Sequence, residues 1–345
     1  MDRLFVAFKP KEISSSAYLS QLKRKYGEKK AGFSGAVDPF ASGALVVAFG
    51  SYTRLFRFLQ KSPKIYRATI WLGAKSESGD NRNFVSIDEI LPLNLDEIRA
   101  QMAKLSGEIE FIPPKFSAKR IDGVRAYKMA ARGEEFEIKP AKMQVFNTQI
   151  LSYTHPFLTI EISLSEGGYV RSFAEILGRN LGVNATLSAL ERISEGDFKF
   201  EDERALNPLD FFSLRENFYR GDLSDFENGK KMKKDDFALQ ENGEYYVKFG
   251  ENFAVLRFED EKISYLCENI ASAVSPLIKA DENVFEKSYL KTKKRSFFEI
   301  FSLRHLKFYF ILIALAAIAA AFLYSTYSMD QNNVKNDSVL NNKIE

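Results

Sequence analysis

The sequence predicts an α+β fold, because segments typical of strands and of helices follow one another without the regular βαβ rhythm of a doubly wound sheet. Residues 66–71 and 158–164 alternate apolar and polar side chains at the period of a strand. Residues 14–26 instead place large apolar side chains at every fourth position, which predicts an amphipathic helix. Serines at its start offer N-cap hydroxyls, and Gly27 ends it. A further helix is expected to run to about Leu181.

The composition is that of a folded protein and argues against several kinds of site. Charged residues make up 28% and apolar residues 45% of the chain, which is ordinary for a soluble domain. The single cysteine, Cys267, excludes an intramolecular disulfide and a cysteine-based metal site, and it fits a reducing cytoplasm. His155 and His305 are the only histidines, so no histidine-rich metal centre is expected. The first residues lead directly into a strand-like segment and lack the features of a signal peptide.

Basic residues are concentrated in two segments, although the net charge of the chain is only +3. One cluster comprises Lys23, Arg24, Lys25, Lys29 and Lys30, and the other comprises Lys115, Lys119, Arg120, Arg125, Lys128 and Arg132. Such clusters suit a polyphosphate partner. They are equally compatible with solvated helix faces, so charge alone does not establish that the chain binds nucleic acid.

The C-terminal part of the chain has a different character. Residues 308–327 are uncharged and, at about 1.5 Å per residue, long enough to cross the apolar core of a bilayer. Because this run has no polar face, it predicts a transmembrane helix rather than a buried core helix. Residues 283–307 form a basic linker before it, which predicts a cytoplasmic domain anchored to the inner face of the cell membrane. Residues 328–345 form a polar tail expected to be disordered. A fused reading frame would give the same pattern.

The most informative stretch is the glycine-rich segment GFSGAVDPFASG at 32–43. Its glycines allow the backbone to turn tightly and to approach a ligand closely. Pro39 restricts the residue before it, Asp38, to an extended conformation. The segment is therefore suited to present one carboxylate on a stiff loop. Taken alone, an Asp-Pro pair in a glycine-rich loop is more typical of an ordinary turn.

The wider segment GFSGAVDPFASGALVVAFGSYTRLF at 32–56 closely resembles the catalytic motif of the TruB-type pseudouridine synthases. Four further segments match at the spacing of that family: FKPKEISS at 8–15, KIYRATIWLG at 64–73, PPKFSAKRIDGVRAY at 113–127 and SEGGYVRSFAEILG at 165–178. The resemblance covers residues 4 to about 200. It implies the pseudouridine synthase fold, a mixed and mainly antiparallel sheet flanked by helices, for a catalytic domain at 1–222. Residues 223–282 resemble the family's C-terminal part less closely and are expected to form a small β-rich region.

The resemblance implies a reaction and three catalytic residues. Uridine-55 in the T loop of tRNA would be isomerised to pseudouridine on a flipped base: the base is detached, turned and reattached through carbon. Asp38 would attack either the base or the ribose, the second route passing through a glycal. Arg171 would pair with Asp38 through its guanidinium fork. Tyr66 would stack on the uracil and assist removal of its C5 proton. No metal or organic cofactor is implied.

The resemblance also implies residues that contact the substrate. Phe33 stands where many members of the family have histidine, so we expect it to act by stacking, because phenylalanine neither titrates nor forms hydrogen bonds. Tyr169 would line the pocket, and Lys9 belongs to a lysine–proline element at its floor. Residues 112–135 match an RNA-gripping insertion, in which Lys119, Arg120 and Arg125 would contact phosphates. The expected partner is the T arm of tRNA, bound by a monomer.

A different class of function is a non-catalytic module that binds or folds tRNA and is tethered to a membrane. Such a module has no need of a catalytic carboxylate or its partners. Asp38, Tyr66 and Arg171 are all present in this sequence, which favours the enzyme.

Overall fold

The computed structural model describes residues 1–272. The strands in chain order are β1 (Arg3–Lys9), β2 (Ala31–Phe33), β3 (Ser42–Phe49), β4 (Lys64–Leu72), β5 (Ala74–Ser76), β6 (Phe84–Ile87), β7 (Gly107–Phe111), β8 (Arg120–Ile121), β9 (Val124–Arg125), β10 (Ala141–Thr154), β11 (Phe157–Leu164), β12 (Ala185–Glu195), β13 (Phe198–Lys199), β14 (Arg215–Glu216), β15 (Gly243–Phe249), β16 (Asn252–Glu259) and β17 (Lys262–Ala271). The helices are α1 (Ser15–Lys25), α2 (Leu95–Lys104), α3 (Ala126–Ala131), α4 (Val170–Asn180) and α5 (Ser224–Glu227).

A nine-stranded sheet forms the centre of the fold, with the strand order β1-β3-β12-β4-β11-β10-β7. Two short strands extend it, since β2 pairs with β3 and β13 with β12. The pairing of β12 with β3 is parallel, whereas the other pairings in this sheet are antiparallel. The predicted mixed, mainly antiparallel sheet is therefore confirmed. Strand β12 lies between β3, which follows Asp38 in the chain, and β4, which carries Tyr66.

Strand β3 is buried on both faces, as its uninterrupted apolar sequence indicates. Leu45, Val47 and Phe49 point into the main core, which is closed by α1, α2 and α4. Their neighbours Ala44, Val46 and Ala48 point into a second core on the opposite face. This second core is completed by residues of β16 and β17. The strand that follows Asp38 is thus fixed between two apolar layers.

A separate four-stranded sheet, in the order β14-β15-β16-β17, follows the catalytic segments in the chain. Strand β14 pairs with β15 in parallel, and β15, β16 and β17 form an antiparallel meander. Its three longer strands fall within the small β-rich region predicted at 223–282. The domain boundaries at 222 and 282 stay predictions.

The first and fourth helices position the functional segments. Helix α1 is capped by Ser14, whose hydroxyl accepts from the amide of Ala17 at 3.2 Å, so the serine run does supply an N-cap. Helix α4 buries one face against β4 and β12, and its first turn includes Arg171. These two helices therefore approach the loop that carries Asp38 from different sides.

The fold prediction was wrong in one respect, the inclusion of a transmembrane helix. Within residues 1–272, no helix is long and apolar enough to cross a membrane. The longest of them, α1 and α4, have 11 residues each. At 1.5 Å per residue they span about 16 Å, whereas a membrane helix needs about 20 apolar residues. The run at 308–327, the linker at 283–307 and the tail at 328–345 lie outside the described residues.

Candidate active site

Asp38 lies on the loop 34–41, which connects β2 to β3. The loop is attached to α1: the amide of Val37 donates to Oγ of Ser15 at 2.9 Å, and this hydroxyl donates back to the carbonyl of Val37 at 3.0 Å. Within the loop, the amide of Ala41 donates to the carbonyl of Asp38 at 3.1 Å. The side chain of Asp38 is 31% exposed, so the loop presents its carboxylate to a ligand from a fixed backbone.

Arg171 reaches Asp38 from the first turn of α4. Its Nη2 atom lies 3.0 Å from Oδ2 of Asp38. The guanidinium also donates to two carbonyl oxygens, from Nη1 to Ser78 at 2.8 Å and from Nη2 to Phe116 at 3.1 Å. The side chain of Arg171 is only 2% exposed. Since a guanidinium is planar and its donors are fixed, these partners hold it in one orientation, and it in turn orients the carboxylate.

The loop between β5 and β6 covers the aliphatic part of Arg171. Gly79 in this loop has φ +69°, and a Cβ atom at this position would lie 3.3 Å from Cβ of Arg171. A residue larger than glycine would therefore be strained and crowded here. The hydroxyl of Ser78 donates to Oδ1 of Asp80 at 2.6 Å, which fixes the turn whose carbonyl receives the guanidinium. The loop between β5 and β6 therefore packs against the side chain of Arg171 and accepts a hydrogen bond from it.

Tyr169 and Arg171 lie beyond the end of β11 at Leu164 and flank the start of a helix. Helix α4 begins at Val170, and Tyr169 is the extended residue before it. Both side chains nevertheless line the same cavity. The guanidinium of Arg171 lies 6.0 Å from the ring centroid of Tyr169. The ring centroids of Tyr169 and Phe111 are 5.9 Å apart. Burial raises the pKa of the Tyr169 phenol, opposed by a hydrogen bond with Ser117.

Tyr66 lies in the middle of the sheet, on β4 between Ile162 of β11 and Arg192 of β12. Its side chain is half-buried and lines the cavity that also contains Asp38 and Arg171. Burial raises the pKa of its phenol, while the nearby Arg192 guanidinium opposes this through its charge and a hydrogen bond. The structure thus brings the three predicted catalytic residues to one cavity.

Two adjoining cavities meet at Asp38 and Arg171. The smaller, about 180 Å³, is also lined by Tyr66 and Tyr169. The larger, about 870 Å³, opens toward the start of α1 and is lined by Phe33. A carboxylate oriented by a guanidinium, with aromatic rings beside it, is suited to nucleophilic chemistry on a small planar group. The larger cavity has room for the rest of the molecule to which that planar group is attached.

Lys9 is fully buried and lines neither cavity. Its ammonium donates to the carbonyls of Pro10 at 2.9 Å, Ile13 at 2.8 Å and Ala41 at 2.6 Å, with Pro39 at 3.5 Å. Burial lowers the pKa of Lys9 to about 8, although the charge of Asp38 opposes this shift. Lys9 thus ties β1 to the residues that follow Asp38 and does not itself face a ligand.

The predicted phosphate-binding residues lie on the small hairpin of β8 and β9. Arg120 pairs with Arg125 across the hairpin, and both are exposed. Arg125 lines the larger cavity and donates to the carbonyl of Ala118. Lys119 donates to the carbonyl of Lys139 at 3.4 Å. Of the three residues, Arg125 is brought to the cavity, whereas Lys119 and Arg120 lie outside its lining.

Sequence reasoning missed a group of charged residues at the back of the site. Lys64 and Arg192 line the smaller cavity, and Glu195 is buried beside them. Arg82 lines the larger cavity and pairs with Asp80 at 3.2 Å. A signal was available: charged residues inside an otherwise apolar strand, as in ATLSALERISE, are rarely buried without a partner or a function.

Chains in solved structures of multi-component complexes have the same fold. A chain in a structure of an H/ACA RNP bound to a substrate RNA containing 2'-deoxyuridine matches with a TM-score of 0.54, at 18% identity over 79% of this chain and 85% of that one. A chain of a Cbf5-Nop10-Gar1 complex matches with a TM-score of 0.55, at 17% identity over 79% of this chain and 84% of that one. At these identities the likeness concerns the fold.

Sequence comparison identifies the family. Residues 23–170 match the model of the TruB family pseudouridylate synthase N-terminal domain. The tRNA pseudouridine synthase B of Campylobacter concisus (strain 13826) is 51% identical over 270 residues, which are 78% of this chain and 99% of that protein. The protein of the same name from Sulfurimonas denitrificans is 42% identical over 77% of this chain and 97% of its own length. The chain belongs to the TruB family of pseudouridine synthases. The predicted family and isomerase class are confirmed.

Proposed function

We propose that this enzyme converts uridine-55 in the T loop of tRNA to pseudouridine, using Asp38 as its catalytic carboxylate. The observation that carries the proposal is the 3.0 Å contact between Arg171 and Asp38 at the junction of the two cavities. The reaction is an isomerisation: the N1–C1' bond of the uridine breaks, a C5–C1' bond forms, C5 loses a proton and N1 gains one. A site with ionisable groups and a place for a free base is sufficient for these steps.

Asp38 acts as the nucleophile in this proposal, at the base or at the ribose. Either route needs the carboxylate held against the detached group, and the fixed loop and the Arg171 fork support this role. Burial raises the pKa of Tyr66, so at neutral pH it is a phenol whose ring can stack on the uracil. Tyr169, whose ring lines the same cavity, is proposed to complete the pocket around the base.

The two cavities suggest how the RNA is bound. Chemistry on a base requires the nucleotide to leave the stack, and the smaller cavity is proposed to receive the uracil. The larger cavity then holds the neighbouring nucleotides, where Phe33 offers a stacking face and Arg125 a charge for phosphate. Lys119 and Arg120 are proposed to contact phosphates outside the larger cavity. Lys9 is proposed to support the loop of Asp38 from beneath the cavities. We expect a monomer that meets tRNA in the cytoplasm.

Substitution of Asp38 by asparagine tests the proposal. The amide keeps the shape of the side chain and loses its nucleophilic charge, so turnover should be abolished while tRNA affinity stays nearly unchanged. The measurement is release of tritium from the C5 position of labelled uridine in tRNA, with carbodiimide mapping to locate the product. Asp96→Asn, at an 86% exposed site on α2, is the matched control and should keep full activity. Appreciable pseudouridine formation by Asp38→Asn would remove Asp38 from the role assigned to it.

A further inference from the structure

Buried charged residues and one serine form a hydrogen-bonded group at the start of the loop that carries Asp38. It consists of Ser34, Lys64, Arg192 and Glu195, which we call the loop clamp. Arg192 and Glu195 are 1% and 0% exposed, and Lys64 is 9% exposed. Removing such charges from water is expensive unless they are paired and hydrogen-bonded in good geometry. Their arrangement around one loop therefore calls for an explanation.

The side chain of Arg192 connects the two ends of the loop. Its Nη2 atom donates to the carbonyl of Gly35 at 2.8 Å, on the side that precedes Asp38. Its Nε atom donates to the carbonyl of Ala44 at 2.8 Å, on the side that follows. A single planar guanidinium thus fixes the separation between the chain entering the loop and the chain leaving it.

Glu195 holds this guanidinium and the start of the loop together. Its Oε2 atom lies 3.2 Å from Nη2 of Arg192, and its Oε1 atom accepts from the hydroxyl of Ser34 at 2.8 Å. The ammonium of Lys64 lies 3.4 Å from the same Oε1 atom. The carboxylate is therefore shared by β4, β12 and the loop. Its position depends on all three elements.

Two glycines let the loop approach Arg192 closely. Gly35 has φ +53°, and a Cβ atom there would lie 2.9 Å from Nζ of Lys64, 3.0 Å from Oε1 of Glu195 and 3.1 Å from Nη1 of Arg192. Gly43 has φ +115°, and its Cβ atom would lie 2.2 Å from the carbonyl oxygen of Arg192, its partner in the parallel pairing of β3 and β12. Gly35 is thus required by the clamp side chains, and Gly43 by the close pairing of β3 with β12.

Arg192 also contacts the other side of the site. It pairs in register with Tyr66 across β4 and β12, and both side chains line the smaller cavity. From this geometry we propose that Arg192 is a positioning residue, which holds the Asp38 loop and Tyr66 at a fixed separation. The role in catalysis rests on the proposed function, whereas the ordering of the loop can be measured without substrate.

The test uses Arg192→Lys, which keeps a buried positive charge for Glu195 but cannot span both carbonyls, and Arg192→Ala. Arg204→Ala is the matched control, because Arg204 forms an ion pair of the same i,i+3 spacing with Glu201 at an exposed site. Hydrogen–deuterium exchange is measured on the whole chain for peptides covering 31–44 and, for comparison, 243–271. The clamp predicts faster exchange in 31–44 with 243–271 unchanged. Exchange that stays unchanged in 31–44, or that rises equally in both regions, overturns the proposal.

Activity provides the second measurement. With tRNA labelled at C5 of uridine, we expect Arg192→Lys to lower the single-turnover rate at least tenfold and Arg192→Ala at least a hundredfold, with tRNA affinity within threefold of the parent. Guanidinium ion added to Arg192→Ala should restore at least a tenfold increase, since Arg192 lines the smaller cavity and its removal opens the space to solvent. Weaker tRNA binding at an unchanged rate would make Arg192 an RNA contact and overturn the positioning role. Failure of the parent enzyme on T-loop uridine would count against the proposed function, while the exchange data would still decide on the clamp.

Discussion

Arg171→Lys is the substitution that probes the proposed catalytic pair most directly. The guanidinium of Arg171 spans three partners: Oδ2 of Asp38 at 3.0 Å and the carbonyls of Ser78 and Phe116 at 2.8 and 3.1 Å. A lysine ammonium carries the same charge but is a point donor on a different stem, so it cannot reach all three from one position. At least one of these contacts is lost in the variant.

The size of the effect follows from the kind of contact. A hydrogen bond to a charged group contributes about 1.5–3 kcal/mol in a protein interior. Asp38 is 31% exposed, so water compensates part of the loss and we take about 1–2 kcal/mol for the variant. If the loss falls on the transition state, the rate decreases roughly 5- to 30-fold at 25 °C. Affinity for tRNA should change little, because Arg171 is buried and is not one of the proposed phosphate contacts.

The assay is single-turnover release of tritium from C5-labelled uridine in tRNA, with the enzyme in excess, together with filter binding and thermal unfolding. Arg179→Lys is the control: Arg179 lies on the same helix, is 70% exposed and pairs with Glu175 at 3.1 Å. We expect this control to stay within twofold of the parent. A rate for Arg171→Lys within threefold of the parent, in a protein that unfolds at the parent temperature, would show that the pair is dispensable for the reaction.

Two further predictions concern the affinity for tRNA and the pH dependence of folding stability and rate. Replacing Lys119, Arg120 and Arg125 together by glutamine should weaken tRNA binding and reduce the slope of log affinity against log salt by up to about 2; an unchanged affinity at low and high salt would mark them as a solvated face. Burial lowers the pKa of Lys9 to about 8, below the value of about 10.4 expected in the unfolded chain. The unfolded chain therefore binds more protons between these values, and the contribution of Lys9 to folding stability rises with pH there. The rate should nevertheless fall above pH 8, because a neutral amine has too few donors for the carbonyls around it. Lys9→Arg, which stays charged, should lose this alkaline limb, and a limb that persists would contradict the assignment.

The sequence predicted those elements whose periodicity is undisturbed. Strand β11 was expected at 158–164 and occupies Phe157–Leu164, and helix α1 was expected at 14–26 and occupies Ser15–Lys25. Strand β12, which is central to the sheet, was not recognised. Its pairing with β4 shifts register between Leu187 and Ala189 and again between Arg192 and Ser194. Each irregularity changes which side chains face the core, so the alternation of a regular strand is lost.

The candidate site was predictable where it depends on side chains in a recognisable motif. Asp38, Tyr66 and Arg171 were named from the sequence, but the carbonyls of Ser78 and Phe116 that hold Arg171 carry no signature of residue type. The end of α4 near Leu181 was expected, whereas its start at Val170 was not predicted. It has no acidic residue in its first turn and no side-chain cap at Tyr169, so the usual markers of a helix start are absent.

The charges around the loop fit the proposed reaction, in which one carboxylate assists the release of an electron-rich base. Lys9 and Arg192 bind the loop mainly through its carbonyl oxygens, which leaves their positive charge only partly neutralised. Glu195 is shared between Arg192 and Lys64, and Asp38 pairs with Arg171. Buried cations thus outnumber buried carboxylates in this described part of the site. In the proposed reaction, such an excess favours the approach of an RNA strand and stabilises negative charge that develops on the uracil as its bond to the ribose breaks.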